Sequence, residues 1–221
     1  VSQLGFEVAP RVRQAMTDMA PELGRITAER VQAELSKLLL GAHPRRGIEL
    51  MVDTGLADVV LPEVPAMRLE IDEHAQHKDV YEHSLTVMEQ AIGRETDGPD
   101  LVLRLAALLH DIGKPATRKV EPGKRVSFHH HEVVGAKLTA RRMRALRFDK
   151  ETTRAVARLV ELLRTDDHGV TIAVAEQDSD DTVEGTVAYE DIEKARTLFE
   201  WGPTTKPGGN PSPSRDRRSR S

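Results

Sequence analysis

The stretch PDLVLRLAALLHDIG, residues 99–113, is the most apolar part of the chain, and it decides how the fold is interpreted. Leucine, valine and alanine cover almost every face, which is typical of a helix at the centre of a bundle. Gly113 and Pro115 are the residue types that end such a helix. His110 and Asp111 stand near its end, and burying an unpartnered polar group costs roughly 2–7 kcal/mol. We therefore expect this pair to be hydrogen-bonded or bound to a metal ion.

The remainder of residues 1–164 also shows helical periodicity. In ITAERVQAELSKLLLG, Val31, Leu35, Leu38 and Leu39 fall on one helical face. Pro44 suits the first turn of the next helix, since proline lacks the amide hydrogen that a first turn leaves unpaired. Further helices are predicted at residues 9–20, 45–55, 80–93, 131–146 and 150–163. The sequence thus predicts a mainly α fold.

The composition limits the kinds of site that the chain can build. Hydrophobic residues make up 38% and charged residues 31% of the 221, and no run of 18 apolar residues occurs, which favours a globular protein without a membrane span. The first residues lack the basic start and apolar run of a secretory signal. Cysteine is absent, which excludes disulfides and thiolate ligands and fits a cytoplasmic protein. A metal ion would have to bind His, Asp or Glu.

The charge distribution divides the chain into blocks. Residues 1–164 hold 25 basic and 24 acidic side chains, residues 165–201 hold 2 and 11, and residues 202–221 hold 5 and 1. In the acidic block, the β-branched runs 170–174 and 182–189 flank a polar turn, which predicts a hairpin, and 197–201 is a candidate third strand. The tail, GPTTKPGGNPSPSRDRRSRS, has the composition of a disordered segment.

Side chains that can bind metals recur on three of the predicted helices. They are His83, His110, Asp111 and the run His129, His130, His131 and Glu132. Neighbouring side chains on a helix point about 100° apart, so an adjacent His-Asp pair can offer two ligands to an ion between helices. The alternative is that these residues are hydrogen-bonded structural groups at helix ends.

The strings YEHSL, LLHDIGKP and HHHEVVGA, within residues 77–164, resemble the HD phosphohydrolase superfamily. The resemblance implies a helical bundle that holds a divalent ion such as magnesium, manganese or nickel. The implied metal ligands are His83, His110, Asp111 and His131. Among the three consecutive histidines, His131 is preferred because it stands before Glu132 and Gly135, as in the family's HExxGA pattern.

The same resemblance implies catalytic and phosphate-binding roles. Asp111 and Lys114 are the implied catalytic residues, and Lys114 and Arg118 would hold the phosphate of a substrate. The family usually completes its ligand set with an Asp on a later helix. Here Asp166 and Asp167 come after the helical pattern has ended. The alternative to a working site is therefore a vestigial one that the fold retains as structure.

A second resemblance covers the residues upstream of the HD-like strings. ITAERVQAELSKLL and GLADVVLPEV resemble the neck and RNA-binding part of bacterial CCA-adding tRNA nucleotidyltransferases and poly(A) polymerases. This implies tRNA or another RNA as a partner. The family's nucleotidyltransferase head carries a Gly-Ser motif followed by paired aspartates, and this sequence holds no such motif. We therefore expect that the chain as given does not add CCA by itself.

Arginines at two places are candidates for RNA contacts. Arg141, Arg144 and Arg147 lie within about 120° of one helix. Arg45 and Arg46 begin another helix. Both groups suit phosphate binding, and the alternative is a solvated basic face.

A third resemblance concerns the segment that follows the predicted bundle. YEDIEKARTLFEWGP and the strands before it are similar to the C-terminal end of the ribosome maturation factor RimP. The resemblance spans about 40 residues, too few for that whole domain. The alternatives are a partial barrel that binds a ribosomal protein and a poorly folded appendage.

The predicted organisation has four parts. Residues 1–70 form a helical RNA-binding neck, 71–164 an HD-type bundle, 165–201 a small β segment and 202–221 a disordered basic tail. Three functions follow as hypotheses: a metal-dependent phosphohydrolase acting on a phosphomonoester or cyclic phosphodiester, including RNA ends; a non-catalytic RNA-binding remnant; and a ribosome-assembly adaptor that works through the C-terminal segment.

Overall fold

The computed structural model describes residues 1–73, 76–120, 126–165, 169–175 and 182–188. Side chains are described for 1–69, 79–120 and 126–162. Most of the described chain is helical, in agreement with the predicted mainly α fold. The helices are α1 (Pro10–Met19), α2 (Ala28–Leu39), α3 (Pro44–Asp53), α4 (Leu56–Val60), α5 (Val80–Ile92), α6 (Leu101–Leu109), α7 (Lys114–Thr117), α8 (His131–Ala145) and α9 (Lys150–Leu162). Short 3-10 turns occupy Ala20–Arg25 and Pro65–Met67.

Helix boundaries follow the local signals in the sequence. Pro44 occupies the first turn of α3, as predicted. The Asp79 side chain accepts a hydrogen bond from the Tyr81 amide at the start of α5. At the start of α6, Asp100 accepts from the amides of Val102 and Leu103. These caps satisfy amide groups that a helix start leaves without partners, so both α5 and α6 begin at defined residues.

One hydrophobic core runs through the described helices. Leu39 of α2, Met67, Leu108 of α6 and Val160 of α9 are all fully buried in it. The core is continuous across residue 70, where the sequence analysis divided the neck from the bundle. Helix α6 is buried at six of its nine positions, which matches its predicted central place. The division of the chain into four parts remains a prediction.

Within the described residues, the strands form two antiparallel sheets. β1 (Glu70–Glu73) pairs with β2 (Gln76–Asp79), with Glu70 opposite Asp79. The second sheet has the order β3 (Leu163–Thr165), β4 (Gly169–Ala175) and β5 (Thr182–Ala188). β4 and β5 form the predicted hairpin, with Ile172 opposite Gly185. The candidate strand 197–201 and the tail lie outside the described residues.

The β1–β2 pair has no counterpart in the sequence predictions. Its strands read EIDE and QHKD, and they lack the alternation of apolar and polar residues that marks a half-buried strand. Their pairing leads directly into α5 and so sets where His83 enters the bundle. Among the described residues, no helix is both long enough and apolar enough to cross a membrane.

Candidate metal centre

Three helices bring the predicted ligands together. His83 lies in the first half of α5, His110 stands at the C-terminal end of α6, and His131 is the first residue of α8. The turn after α6 lies directly against the start of α8. A Cβ built on Gly113 would overlap the His131 carbonyl oxygen and lie 2.8 Å from the Gly135 amide nitrogen. Glycine at 113 therefore permits the backbone contact that places His110 and Asp111 beside His131.

The ligand atoms surround the carboxylate of Asp111. His110 Nε2 lies 3.1 Å and His83 Nε2 lies 4.0 Å from Asp111 Oδ2. Candidate ligand atoms of His83, His110 and Asp111 all lie within 4.8 Å of one another. His131 Nε2 lies 3.4 Å from the other oxygen, Oδ1. The structure thus brings together the four residues that the resemblance implied, with His131 at the outer edge of the group.

Three buried polar atoms of His110 and Asp111 have no aligned hydrogen bond within the described residues. His110 and Asp111 are each 1% exposed. Within the described part of the chain, His110 Nε2 and both carboxylate oxygens of Asp111 have no aligned hydrogen-bond partner, although charged atoms lie close to them. Such groups are costly to bury and are commonly explained by an ion or a catalytic role. The imidazole and carboxylate donor set suits a divalent transition metal ion.

Backbone carbonyls orient two of the histidine rings. His110 Nδ1 lies 2.8 Å from the Ala107 carbonyl oxygen, and His131 Nδ1 lies 2.9 Å from the Phe128 carbonyl oxygen. A carbonyl can only accept, so each Nδ1 carries the proton when the hydrogen bond forms. In a neutral ring, Nε2 then presents its lone pair to the cluster. Both rings therefore turn Nε2 toward Asp111, where it donates to the carboxylate if the ring is protonated and offers a lone pair to a metal ion if the ring is neutral.

The carboxylate of Asp111 is held in its charged form. Burial by itself raises the pKa of this carboxyl group, but His110, His131 and Lys114 lie against it and hold its pKa well below the usual range. Two of these neighbours are histidines, and the third is the ammonium group of Lys114. The cluster therefore holds a buried negative charge that depends on cations beside it, Lys114 among them.

The remaining residues implied near the site differ in position. Lys114 Nζ lies 2.7 Å from Asp111 Oδ2, so Lys114 belongs to the cluster. Arg118 is exposed at the end of α7. His129 and His130 are exposed, and His130 adopts a left-handed backbone conformation at the start of α8. Asp166 and Asp167, the candidates for a further ligand, lie outside the described residues.

The predicted RNA-binding arginines are not equivalent. Arg45 is engaged by three carboxylates: its nitrogens lie 2.8 Å from Glu49, 2.5 Å from Glu82 and 2.9 Å from Glu89. Burial lowers the pKa of the Arg45 guanidinium, but the hydrogen bonds that it donates to Glu49 and Glu89 raise this pKa above its usual value overall. The positive charge of this guanidinium is balanced by carboxylates, and its ion pairs join α3 to α5.

The other candidate arginines are more accessible. Arg46 donates to the Gly5 carbonyl oxygen at 3.1 Å. Arg141 and Arg144 are exposed on α8. Arg147 is exposed too, but it follows the end of α8 and so does not continue the predicted helical face; its Nε lies 3.9 Å from a carboxylate oxygen of Glu29 in α2. Among the predicted RNA-binding arginines, Arg141 and Arg144 are the two that make no ion pair or side-chain hydrogen bond within the described residues.

Two family profiles match the chain over most of its length. The profile described as "HD domain" matches residues 80–194, which is more than half of the sequence. The chain belongs to the HD domain family. The profile described as "Probable RNA and SrmB-binding site of polymerase A" matches residues 5–67. The HD match extends beyond residue 164, across the segment that resembles RimP, and that third resemblance remains a prediction.

The relatives of this HD protein agree with both profiles. It is 38% identical to the A-adding tRNA nucleotidyltransferase of Deinococcus radiodurans over 168 residues, 73% of this chain and 38% of the relative. It is 36% identical to the CC-adding tRNA nucleotidyltransferase of Thermus thermophilus over 164 residues, 71% of this chain and 37% of the relative. It is 33% identical to the multifunctional CCA protein of Pasteurella multocida over 146 residues.

These matches place the chain within one part of a larger protein family. It spans a little over a third of the length of the relatives that it matches. With the two profiles, the similarity corresponds to the neck and HD part of the tRNA nucleotidyltransferase family, as the sequence motifs predicted.

Features outside the sequence predictions complete the HD site. The carbonyls of Ala107 and Phe128 orient the histidine rings, and both stand three residues before the histidine that they contact. Gly113 was predicted only as a helix end, whereas its main role is the close contact with α8. The glycines of HDIG and HEVVG are the signal in the sequence, because paired glycines often mark a close approach of two backbones.

Proposed function

We propose that the chain is the HD phosphohydrolase module of a tRNA nucleotidyltransferase-like protein. Its substrates would be phosphomonoesters or cyclic phosphodiesters, including those at RNA ends. The observation that carries the proposal is the group of half-buried His83 with buried His110 and Asp111, whose candidate ligand atoms lie within 4.8 Å of one another. Three of its buried polar atoms lack an aligned hydrogen bond among the described residues. A divalent ion would satisfy all three.

Each residue of the cluster has a distinct task in this proposal. His83, His110 and Asp111 would hold the ion, and His131 would bind it or contact the phosphate of the substrate. A bound divalent ion supplies Lewis-acid chemistry toward phosphoryl oxygens. Lys114 brings a positive charge to the same place and would hold the phosphate, with Arg118 further out. Asp111 would position the attacking water.

The direct test measures metal content and hydrolysis on the same samples. Purified protein should hold near-stoichiometric metal by elemental analysis, and it should hydrolyse a generic phosphodiester when manganese, nickel or magnesium is supplied. The double variant His110→Ala/Asp111→Ala should lose the metal, and its hydrolysis should fall by more than about 100-fold, because two ligands are removed.

His129→Ala provides the matched control, since His129 is an exposed histidine two residues from His131. It should keep both metal and activity. Circular dichroism would show that all three proteins are folded. A folded wild type that takes up no metal and hydrolyses nothing with any of the three ions would refute the phosphohydrolase proposal.

RNA binding by the neck is the second candidate function, and the profile match at residues 5–67 favours it. We propose tRNA or a related RNA as the partner, in a cytoplasmic protein. If α8 contributes phosphate contacts, Arg141→Gln/Arg144→Gln should weaken tRNA binding and reduce the slope of log K against log[salt] by about 1–2. Filter binding or fluorescence anisotropy over a salt series would measure this slope.

The matched control is Arg154→Gln/Arg158→Gln, which removes two exposed arginines from α9. An equal loss of affinity in both pairs would mean that binding depends on overall charge and not on the α8 face. The third hypothesis, a ribosome-assembly adaptor, rests on a segment that lies largely outside the described residues. Neither the relatives nor the described structure favours it.

A further inference from the structure

Of the cations in the described residues, the ammonium group of Lys114 lies closest to the buried carboxylate of Asp111. Its Nζ lies 2.7 Å from Oδ2, closer than His110 Nε2 at 3.1 Å, His131 Nε2 at 3.4 Å from Oδ1, or His83 Nε2 at 4.0 Å. Asp111 is 1% exposed, whereas 18% of the Lys114 side chain is exposed. Lys114 therefore reaches from the rim of the site to its most buried charge.

The oxygen that Lys114 contacts is the one at which the candidate metal ligands meet. Both His83 Nε2 and His110 Nε2 approach Oδ2. A divalent ion bound by these three residues would come close to the ammonium group. Two like charges a few ångströms apart in a partly buried site repel each other, because the protein screens them less than bulk water does. The two cations therefore compete for one position.

The Lys114 ammonium group has a second contact nearby that can hold it when it leaves Asp111. Its Nζ already lies 5.9 Å from the centre of the half-buried Phe128 ring, within the range of a cation–π contact. The lysine stem is flexible, so rotation about its single bonds can carry the ammonium group outward without moving the backbone. Lys114 is the first residue of α7, and so its backbone stays anchored during such a movement.

We propose that Lys114 is the counter-ion of Asp111 in the metal-free protein and that a divalent ion displaces it. The displaced ammonium group then becomes available to an anionic substrate, so substrate binding by Lys114 depends on metal binding. This inference rests on the proposed metal site. It adds that Lys114 stabilises the metal-free site and also opposes metal binding.

Replacement of Lys114 by methionine separates these two effects. In the full 221-residue chain with EDTA present, Lys114→Met should lower the melting temperature, because Asp111 loses the cation nearest to it. In saturating Mn²⁺, the difference from wild type should shrink. Isothermal titration with Mn²⁺ should show binding that is tighter by about tenfold or more, because no ammonium group has to be displaced.

Lys137→Met is the control, since Lys137 is an exposed lysine on α8. It should leave both the melting temperature and the Mn²⁺ affinity close to wild type. If Lys114→Met binds Mn²⁺ no more tightly than wild type does, the exchange is wrong even though the metal site stands. If neither protein binds Mn²⁺, Ni²⁺ or Zn²⁺, the metal site fails and the exchange fails with it. A loss of stability in EDTA equal to that of Lys137→Met would overturn the counter-ion role.

Discussion

Gly113→Ala should destabilise the protein by about 3 kcal/mol or more, and this is one of the two largest effects that we expect from a single substitution. The new methyl group would overlap the carbonyl oxygen of His131 and lie 2.8 Å from the amide nitrogen of Gly135. Both obstacles are backbone atoms, so no side chain can rotate to make room. The turn after α6 would have to move away from α8, and His110 and Asp111 would move with it.

Gly135→Ala is the matched control on the other side of the same contact. A methyl group there would lie 3.4 Å from the Gly113 amide nitrogen and from a methyl of Val160, which is an ordinary packing distance. Alanine also favours a helix over glycine by about 1 kcal/mol. We therefore expect Gly135→Ala to be within about 1 kcal/mol of wild type, with the gain in helix propensity offsetting the tighter fit.

Urea denaturation followed by circular dichroism would measure both free energies of unfolding. Elemental analysis of the same samples would show whether metal binding is lost when the turn moves. A Gly113→Ala protein as stable as wild type would show that the backbones of the turn and α8 are further apart than described. The explanation for the HDIG glycine would then be wrong.

Arg104→Met should cost roughly 3–5 kcal/mol, because it leaves a buried carboxylate without its cation. The Arg104 and Glu95 side chains are only 4% and 7% exposed. Two guanidinium nitrogens of Arg104 donate to Glu95 at 2.7 and 2.6 Å. The third donates to the carbonyl oxygens of Leu39 and Gly41 at 2.6 and 2.9 Å. The substitution thus removes the partners of three buried groups at once.

The position of Arg104 explains why the substitution should also destabilise α2. Leu39 and Gly41 lie at the C-terminal end of α2, whereas Arg104 lies on the central helix α6. The arginine therefore satisfies helix-end carbonyls in the neck from within the bundle. Thermal unfolding should show the lower stability, and amide hydrogen exchange should show faster exchange in α2.

Arg25→Met provides the comparison with an exposed ion pair. Arg25 Nη1 lies 2.7 Å from Glu22, but the two side chains are 81% and 56% exposed. Such pairs contribute about 0–1 kcal/mol. If Arg104→Met is no more costly than Arg25→Met, the Arg104 pair is not the tie between α2 and α6 that its burial indicates.

Local patterns in the sequence were sufficient for most of the helices. The apolar positions of α2 recur every three or four residues, and this spacing predicted both the helix and its buried face. The β1–β2 pair escaped prediction because polar strands without alternation carry no such signal. Its pairing depends on backbone hydrogen bonds between residues 70–73 and 76–79, which side-chain polarity does not reveal.

Whether a predicted RNA-binding arginine is exposed depends on residues that are distant from it in the sequence. Arg45 and Arg141 both looked available for phosphate. The folded chain places Glu82 and Glu89 of α5 against Arg45, 37 and 44 residues away, whereas Arg141 stays exposed. No local pattern around residue 45 contains this information, because the carboxylates arrive only when α5 packs against α3.

The sequence by itself offered His83, His110, Asp111 and the run 129–132 as candidate ligands, and the resemblance to the HD superfamily singled out His131 within that run. Only the tertiary structure decided that the histidine nitrogens surround the buried carboxylate of Asp111, and that Lys114 contacts the same carboxylate. The physical reason is that chemical type and helix phase are encoded locally. Distances between side chains on α5, α6 and α8 are set instead by the packing of those helices, including the backbone contact that Gly113 permits.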